Sequence, residues 1–261
     1  MSTRWSNLQL ASVFLVLFCC VALFSARADW TLHFTRAYLP PGLSYAGVNG
    51  SVWHPAFERV RFVLPNGNMI AVNALEFRVA PWALFAGHLQ GDWRWRHATG
   101  VLTGQLTLAP ERWQITELSG AVPDALMVGP LGMLAALSPS AELYVESGQL
   151  TGADDTGVRS ATLEIDLREV RLPALSGDEV LGRYHLSLEK MNDGPATGTV
   201  ETVEPGSALL VDAQVSLQDN PRLLRLSGTA RARSPGSRAV IALLGKTVDD
   251  TTSFGYDFPL P

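Results

Sequence analysis

Glu164 and Asp166 stand two residues apart in the stretch LEIDLREVR, and on a strand that spacing turns both carboxyls to one face. Two carboxyls on one face are what general acid–base chemistry asks for. Arg159, Arg168 and Arg171 flank them, so ion pairs on a solvated strand face are the simpler reading. Nucleophilic catalysis has less to build on. There is no G-x-S-x-G, and the serines of Leu118-Ser119-Gly120 and Leu175-Ser176-Gly177 lack the first glycine. The histidines, His33, His54, His88, His97 and His185, form no H-E-x-x-H or H-x-H, and His88 could meet His97 only across a sheet. Asp154-Asp155 and Asp249-Asp250 do not begin the spaced pattern of a calcium loop and read as turns. No glycine loop is shaped for a phosphate. The residues point away from an enzyme, and no cofactor or metal is expected.

The aromatic residues are more informative. Trp53, Trp82, Trp93, Trp95 and Trp113 fall within 61 residues. Tryptophan serves as a large core residue, an interface anchor or a membrane-interface residue. Trp93 and Trp95 share one face of a strand and belong in a core. Trp82, beside Phe85 in a short helical stretch, is the best candidate for a contact surface.

The elements that must position these residues are written mainly in period two. In HLQGDWRWRHATG the tryptophans alternate with Asp92, Arg94 and Arg96. Leu102, Gly104, Leu106 and Leu108 alternate with Thr103, Gln105 and Thr107, and Leu163, Ile165 and Leu167 with Glu164, Asp166 and Arg168. The apolar phase then slips to Val170 and Leu172, which predicts a β-bulge near Arg168-Glu169. Further strands carry Tyr184, Leu186 and Leu188, then Leu209 to Leu217 in alternation, then Leu224, Leu226, Gly228 and Ala230. Turn residues separate them, as in Pro65-Asn66-Gly67-Asn68 and Asn192-Asp193-Gly194-Pro195. The fold class is therefore all-β and mainly antiparallel, a curved sheet or a shallow sandwich with a few short helices.

Helical turns are expected at residues 81–87, opened by Pro81 and closed by Gly87, and within residues 123–137. The best helix candidate is SRAVIALLGK, residues 237–246, with Ser237 as its cap and Lys246 at its end. A recurring G-x-Leu step (Gly104-Gln105-Leu106, Gly148-Gln149-Leu150) suggests two similar β-rich halves joined near residues 138–141, with one continuous sheet as the alternative.

Bulk composition sets the compartment. With 47% hydrophobic and 17% charged residues, the chain is neither disordered nor a multispanning membrane protein. Beyond residue 28 it carries 25 acidic against 18 basic residues and no run of Lys or Arg, which argues against nucleic acid as a partner. Cys19 and Cys20 are the only cysteines and lie in an apolar run, so the rest has neither disulfide nor cysteine-ligated metal.

That run, residues 8–26, is just long enough for a bilayer core, at roughly 1.5 Å per helical residue. Arg4 precedes it and acidic residues dominate after Asp29. The expected organisation is a cytoplasmic N-terminus over residues 1–7, a transmembrane helix over 8–26 and a periplasmic β-rich domain over 29–261. Ala26-Arg27-Ala28 also fits a signal-peptidase site, but the run exceeds the usual apolar core of a cleaved signal and an arginine sits inside the triplet. The retained anchor is the favoured reading.

The order of pieces resembles that of protein N of the bacterial type II (general) secretion pathway. The anchor is followed by LPPGLSYAGVNGSVWHPAFERVRF, then LEFRVAPWALFAGHLQGDWRWR, then GVLTGQLTLAPERWQITELSGAVP, and the chain closes with IALLGKTVDDTTSFGYDFPL. The G-(T/S)-(V/L)-W step of that family is matched by Gly50, Ser51, Val52 and Trp53. Its (W/F)-R-(L/V)-x-P-x-x-L-(L/F)-x-G-x-L segment is matched by Phe77, Arg78, Val79, Pro81, Leu84, Phe85, Gly87 and Leu89. His54-Pro55 departs from the small pair expected after the tryptophan.

The resemblance implies a single-pass inner-membrane protein with a periplasmic β domain, accessory to the machine that moves folded proteins across the outer membrane. It also implies partners among the other inner-membrane platform proteins and the secretin. The family-motif residues that become interface candidates are Gly50, Trp53, Arg78, Pro81, Trp82, Leu84, Phe85 and Gly87. The competing expectation is an AsmA-like periplasmic protein for lipid handling or outer-membrane assembly, whose sheet would offer its apolar face to acyl chains.

Overall fold

The computed structural model describes residues 14, 21, 25–29, 43–63, 69–122, 140–153, 157–192, 194–219, 222–245, 247–248 and 250–259. They divide into two compact units, Met1–Trp95 and Arg96–Pro261.

The first unit contains β1 (Leu43–Ser51), β2 (His54–Val63), β3 (Met69–Val79), the single-turn helix α1 (Pro81–Phe85) and most of β4 (Leu89–His97). Each strand pairs antiparallel with the next, in registers set by Ser51↔His54, Val60↔Val72 and Phe77↔Trp93. Val60 pairs with Val72 and Leu75 with Trp95, and all four are buried. Val72 and Leu75 lie three residues apart because the alternation of β3 is interrupted at Ala74, whose φ is +51°. Phe57 stands edge-on to Tyr45 of β1 and Phe77 of β3, with ring centres 6.0 and 6.1 Å away. Such T-shaped cross-strand pairs add to the burial term that holds neighbouring strands in register.

The second unit contains β5 (Gly100–Ala109), β6 (Arg112–Ala121), β7 (Ser140–Ala153), β8 (Gly157–Arg171), α2 (Pro173–Ser176), β9 (Gly182–Lys190), β10 (Ala196–Thr202), β11 (Leu209–Asp219), β12 (Arg222–Ala232), α3 (Pro235–Leu244), β13 (Thr247–Val248) and β14 (Thr251–Pro259). Strand order follows the chain, except that β14 lies between β12 and β13. Within the unit this is one series of antiparallel strands, so the sheet alternative describes it and the sandwich does not. The bulge lies where the hydrophobic phase slips. The register between β8 and β9 shifts between Leu167 and Val170, and Glu169 takes a φ of +47°.

One apolar core of this unit lies under α3. Val240 and Ile241 of the helix meet Leu209 and Ala213 of β11, Ala230 and Ala232 of β12, Phe254 of β14 and Leu181. The helix begins earlier than SRAVIALLGK suggests. Ser234 is the N-cap, Pro235 and Gly236 open the first turn, and Ser237 is the third helical residue. The Ser237 amide donates to the Ser234 hydroxyl, and the Ser234 amide donates to the Ser237 hydroxyl, which closes a reciprocal capping box. Proline tolerates the first helical position because its missing N–H would have no partner there, so the helix extends two residues upstream.

Residues 123–137, Lys246 and most of the apolar run 8–26 lie outside the described residues. The joint expected at 138–141 falls at the edge of a described stretch, where β7 begins. Phe14 and Val21 are described, helical and exposed. Among the described residues no helix is long and apolar enough to cross a membrane.

Candidate functional site

Glu164 and Asp166 do share the polar face of β8, but each is already occupied. Asp166 is only 1% exposed. Arg183 of β9 grips it with two hydrogen bonds, Nε to Oδ1 at 2.7 Å and Nη2 to Oδ2 at 2.6 Å, and Arg168 Nε donates to Oδ2 at 2.7 Å. The Arg183 hydrogen bonds hold the Asp166 carboxyl below the usual carboxylate range, against the opposing push of burial, and Arg168 adds to the lowering. Glu164 meets His185 Nε2 at 2.7 Å. A carboxylate kept ionised by two guanidinium groups is a poor proton acceptor, so this cluster works as a cross-strand clamp.

The expectation of ion pairing is met at Asp166–Arg168, but the face is not simply solvated, and Arg183 was not singled out in the sequence. Its partnership follows from the hairpin register, in which Asp166 lies opposite His185 and Leu167 opposite Tyr184. Tyr184, buried behind them, donates to the Leu209 carbonyl at 2.9 Å, and burial pushes its hydroxyl pKa well above the ordinary tyrosine value. His97 is bound at both ring nitrogens, to the Ala121 carbonyl at 2.8 Å and the Thr99 hydroxyl at 2.9 Å. Among the described residues no group of three His, Cys, Asp or Glu side chains could hold a metal ion.

The family-motif residues converge on one end of the first unit. Val52 and Trp53 form the two-residue turn between β1 and β2. Gly50, at φ +87°, approaches this turn so closely that a Cβ there would collide with the His54 carbonyl oxygen. Two neighbouring segments are tied to the turn. Val52 N–H donates to the Ala26 carbonyl at 2.9 Å, and Val79 N–H donates to the Trp53 carbonyl at 2.7 Å. Ala28 is buried and Arg27 forms a bridge to Ser51, so the small-x-small triplet is docked on the turn. Trp53 itself is buried, as a core tryptophan would be.

From Val79 the chain runs straight into α1. Ala80 N–H donates to the Gln90 carbonyl at 2.8 Å and closes a neck around residues 80–90. Pro81 opens the helical turn, and Gly87, at φ +78°, lets the chain double back, with its N–H on the Leu84 carbonyl at 3.1 Å. Ala83 is the helical side chain that turns inward. Trp82 and Phe85 are 75% and 85% exposed, with ring centres 6.0 Å apart, and Leu84 is exposed beside them. Arg78, exposed on β3, lies opposite Asp92 of β4 rather than on the tip. The motif therefore separates by role: Gly50, Trp53, Pro81 and Gly87 shape the backbone, while Trp82, Leu84 and Phe85 are presented to the outside. Sequence order alone did not reveal that the turn is hydrogen-bonded to Val79, two residues before the tip begins.

A family model described as type II secretion system (T2SS), protein N, matches residues 41–250. No curated protein and no solved structure matches the chain.

Proposed function

The chain belongs to the type II secretion system protein N family, and from that premise we propose that it is an inner-membrane-anchored, non-enzymatic accessory of the secretion machine. The match over residues 41–250 carries this reading. Residues 8–26 cross the inner membrane once, and the β units stand in the periplasm and act through contacts with other components of the apparatus. Two local features support the anchor. Phe14 and Val21 are helical and exposed, as lipid-facing residues are, and residues 26–28 are docked on the Ser51–His54 turn. The docked segment gives the anchor a short, fixed connection to the first unit. The exposed side chains Trp82, Leu84 and Phe85 form an apolar contact surface on the first unit, because a cluster of this kind is rarely left in water uncovered.

The test is a clean deletion strain. Exoproteins accumulate folded in the periplasm while release falls, and a plasmid copy restores release. Unchanged release and an empty periplasm would overturn the accessory role.

A second reading, the AsmA-like lipid handler, draws on the apolar face of the second unit, where Leu106, Ile115, Leu163, Ile165 and Leu186 are only half-buried. Mass spectrometry of the purified chain separates the two: phospholipid retained at a fixed stoichiometry favours lipid handling, and lipid-free protein favours the secretion accessory.

A further inference from the structure

We infer that the α1 tip, led by Trp82 and Phe85, inserts into the headgroup–acyl boundary of the same membrane that holds residues 8–26. The inference rests on the anchored reading and names what the exposed tip touches.

Three observations converge on a lipid surface. The first is chemical. Residues 79–87 contain no acidic or basic side chain, and Trp82 and Phe85 are 75% and 85% exposed. Tryptophan beside phenylalanine and leucine, with the indole N–H as the single side-chain donor, suits a layer that is apolar on one side and wet on the other. Protein interfaces add a rim of polar partners; residues 79–87 carry none, and the polar side chains nearest in sequence, Arg78 and His88, only flank them.

The second is placement. The end of the apolar run and the strand end that leads into the tip are attached to successive residues of one turn, Ala26 to Val52 and Val79 to Trp53. A bilayer that holds the run up to residue 26 therefore lies within reach of a helix beginning two residues after Val79. The third is construction. The neck from Ala80 to Gln90, Pro81 at the helix start and the left-handed Gly87 fix the loop without help from the exposed side chains. Trp82 and Phe85 are thus free to enter another phase with little cost in ordering.

The full chain, with Cys19 and Cys20 changed to serine and Phe85→Cys carrying a nitrobenzoxadiazole probe, is reconstituted into phosphatidylethanolamine–phosphatidylglycerol vesicles. The same label at Ala71→Cys, an exposed position eight residues back along β3 from Val79, is the reference. The expected result is that both labelled chains float with the vesicles. The probe at position 85 emits to the blue and is quenched by lipids with a shallow nitroxide. It also resists aqueous iodide severalfold better than the probe at position 71. A floating chain whose position 85 matches position 71 in all three readouts overturns the tip insertion while the anchor stands. Blue emission without nitroxide quenching also overturns it, since the tip is then covered by protein. A chain that stays in the aqueous fractions overturns the anchored reading and the insertion with it.

Discussion

Asp166 shows how one side chain ties two strands together. Its carboxylate takes two hydrogen bonds from Arg183 and one from Arg168, so both oxygens of a side chain only 1% exposed are paired. Removing the charge strands two guanidinium groups beside a neutral amide. Because Arg168 and Arg183 are 43% and 36% exposed and can rehydrate, Asp166→Asn is expected to lose about 2 kcal/mol, less than a fully enclosed pair would. The pH dependence has a definite sign. A carboxyl whose folded pKa is depressed stabilises the fold above its unfolded pKa, near 4, and that contribution disappears as pH falls through the lower folded value. Denaturant titrations should therefore separate the parent from Asp166→Asn at pH 7 and bring them together on strong acidification. A gap that widens in acid would exclude the clamp.

At the scale of elements, α1 and α3 are both opened by proline yet do opposite things. The α3 helix turns Val240 and Ile241 into the core, and its Ser234–Ser237 box satisfies amides that no helical carbonyl can reach. Ser234→Ala should cost about 1 kcal/mol in chemical denaturation, the usual value of a lost N-cap. The α1 turn buries Ala83 and displays Trp82 and Phe85. Their replacement by serine should leave unfolding free energy within about 0.5 kcal/mol of the parent, because little burial is lost. Exoprotein release should fall in the same variant. Loss of stability instead would mean that the two rings belong to the fold and not to a contact.

At the scale of the whole molecule, the family assignment and the local chemistry bear on different parts of the chain. The matched residues 41–250 begin after the apolar run, so the assignment is independent of how the run is used. The intact mass of C-terminally tagged protein from detergent-extracted membranes tests the run directly. Retention of residues 1–28 is expected, since Ala26 and Arg27 are joined to the β1–β2 turn. A mass beginning at Asp29, in the soluble periplasmic fraction, would remove the anchor from the mechanism.

Whatever depends on neighbours a few residues apart could be read from the sequence. Alternation of apolar and polar residues marked the strands. The one-residue phase slip after Leu167 located the bulge at Glu169, and Pro81 and Gly87 bracketed the short helix. These are properties of a pleat with period two and of backbone angles that particular residues permit. The start of α3 was misplaced even so, because Pro235 reads as a breaker until Ser234 is seen capping it. Whatever depends on register belonged to the tertiary structure. Seventeen residues separate Asp166 from Arg183, and only the pairing of β8 with β9 brings the guanidinium onto the carboxylate. Trp53, Trp95 and Trp82 are chemically identical, yet two are buried and one is exposed, since burial is decided by what the opposite strand or loop supplies.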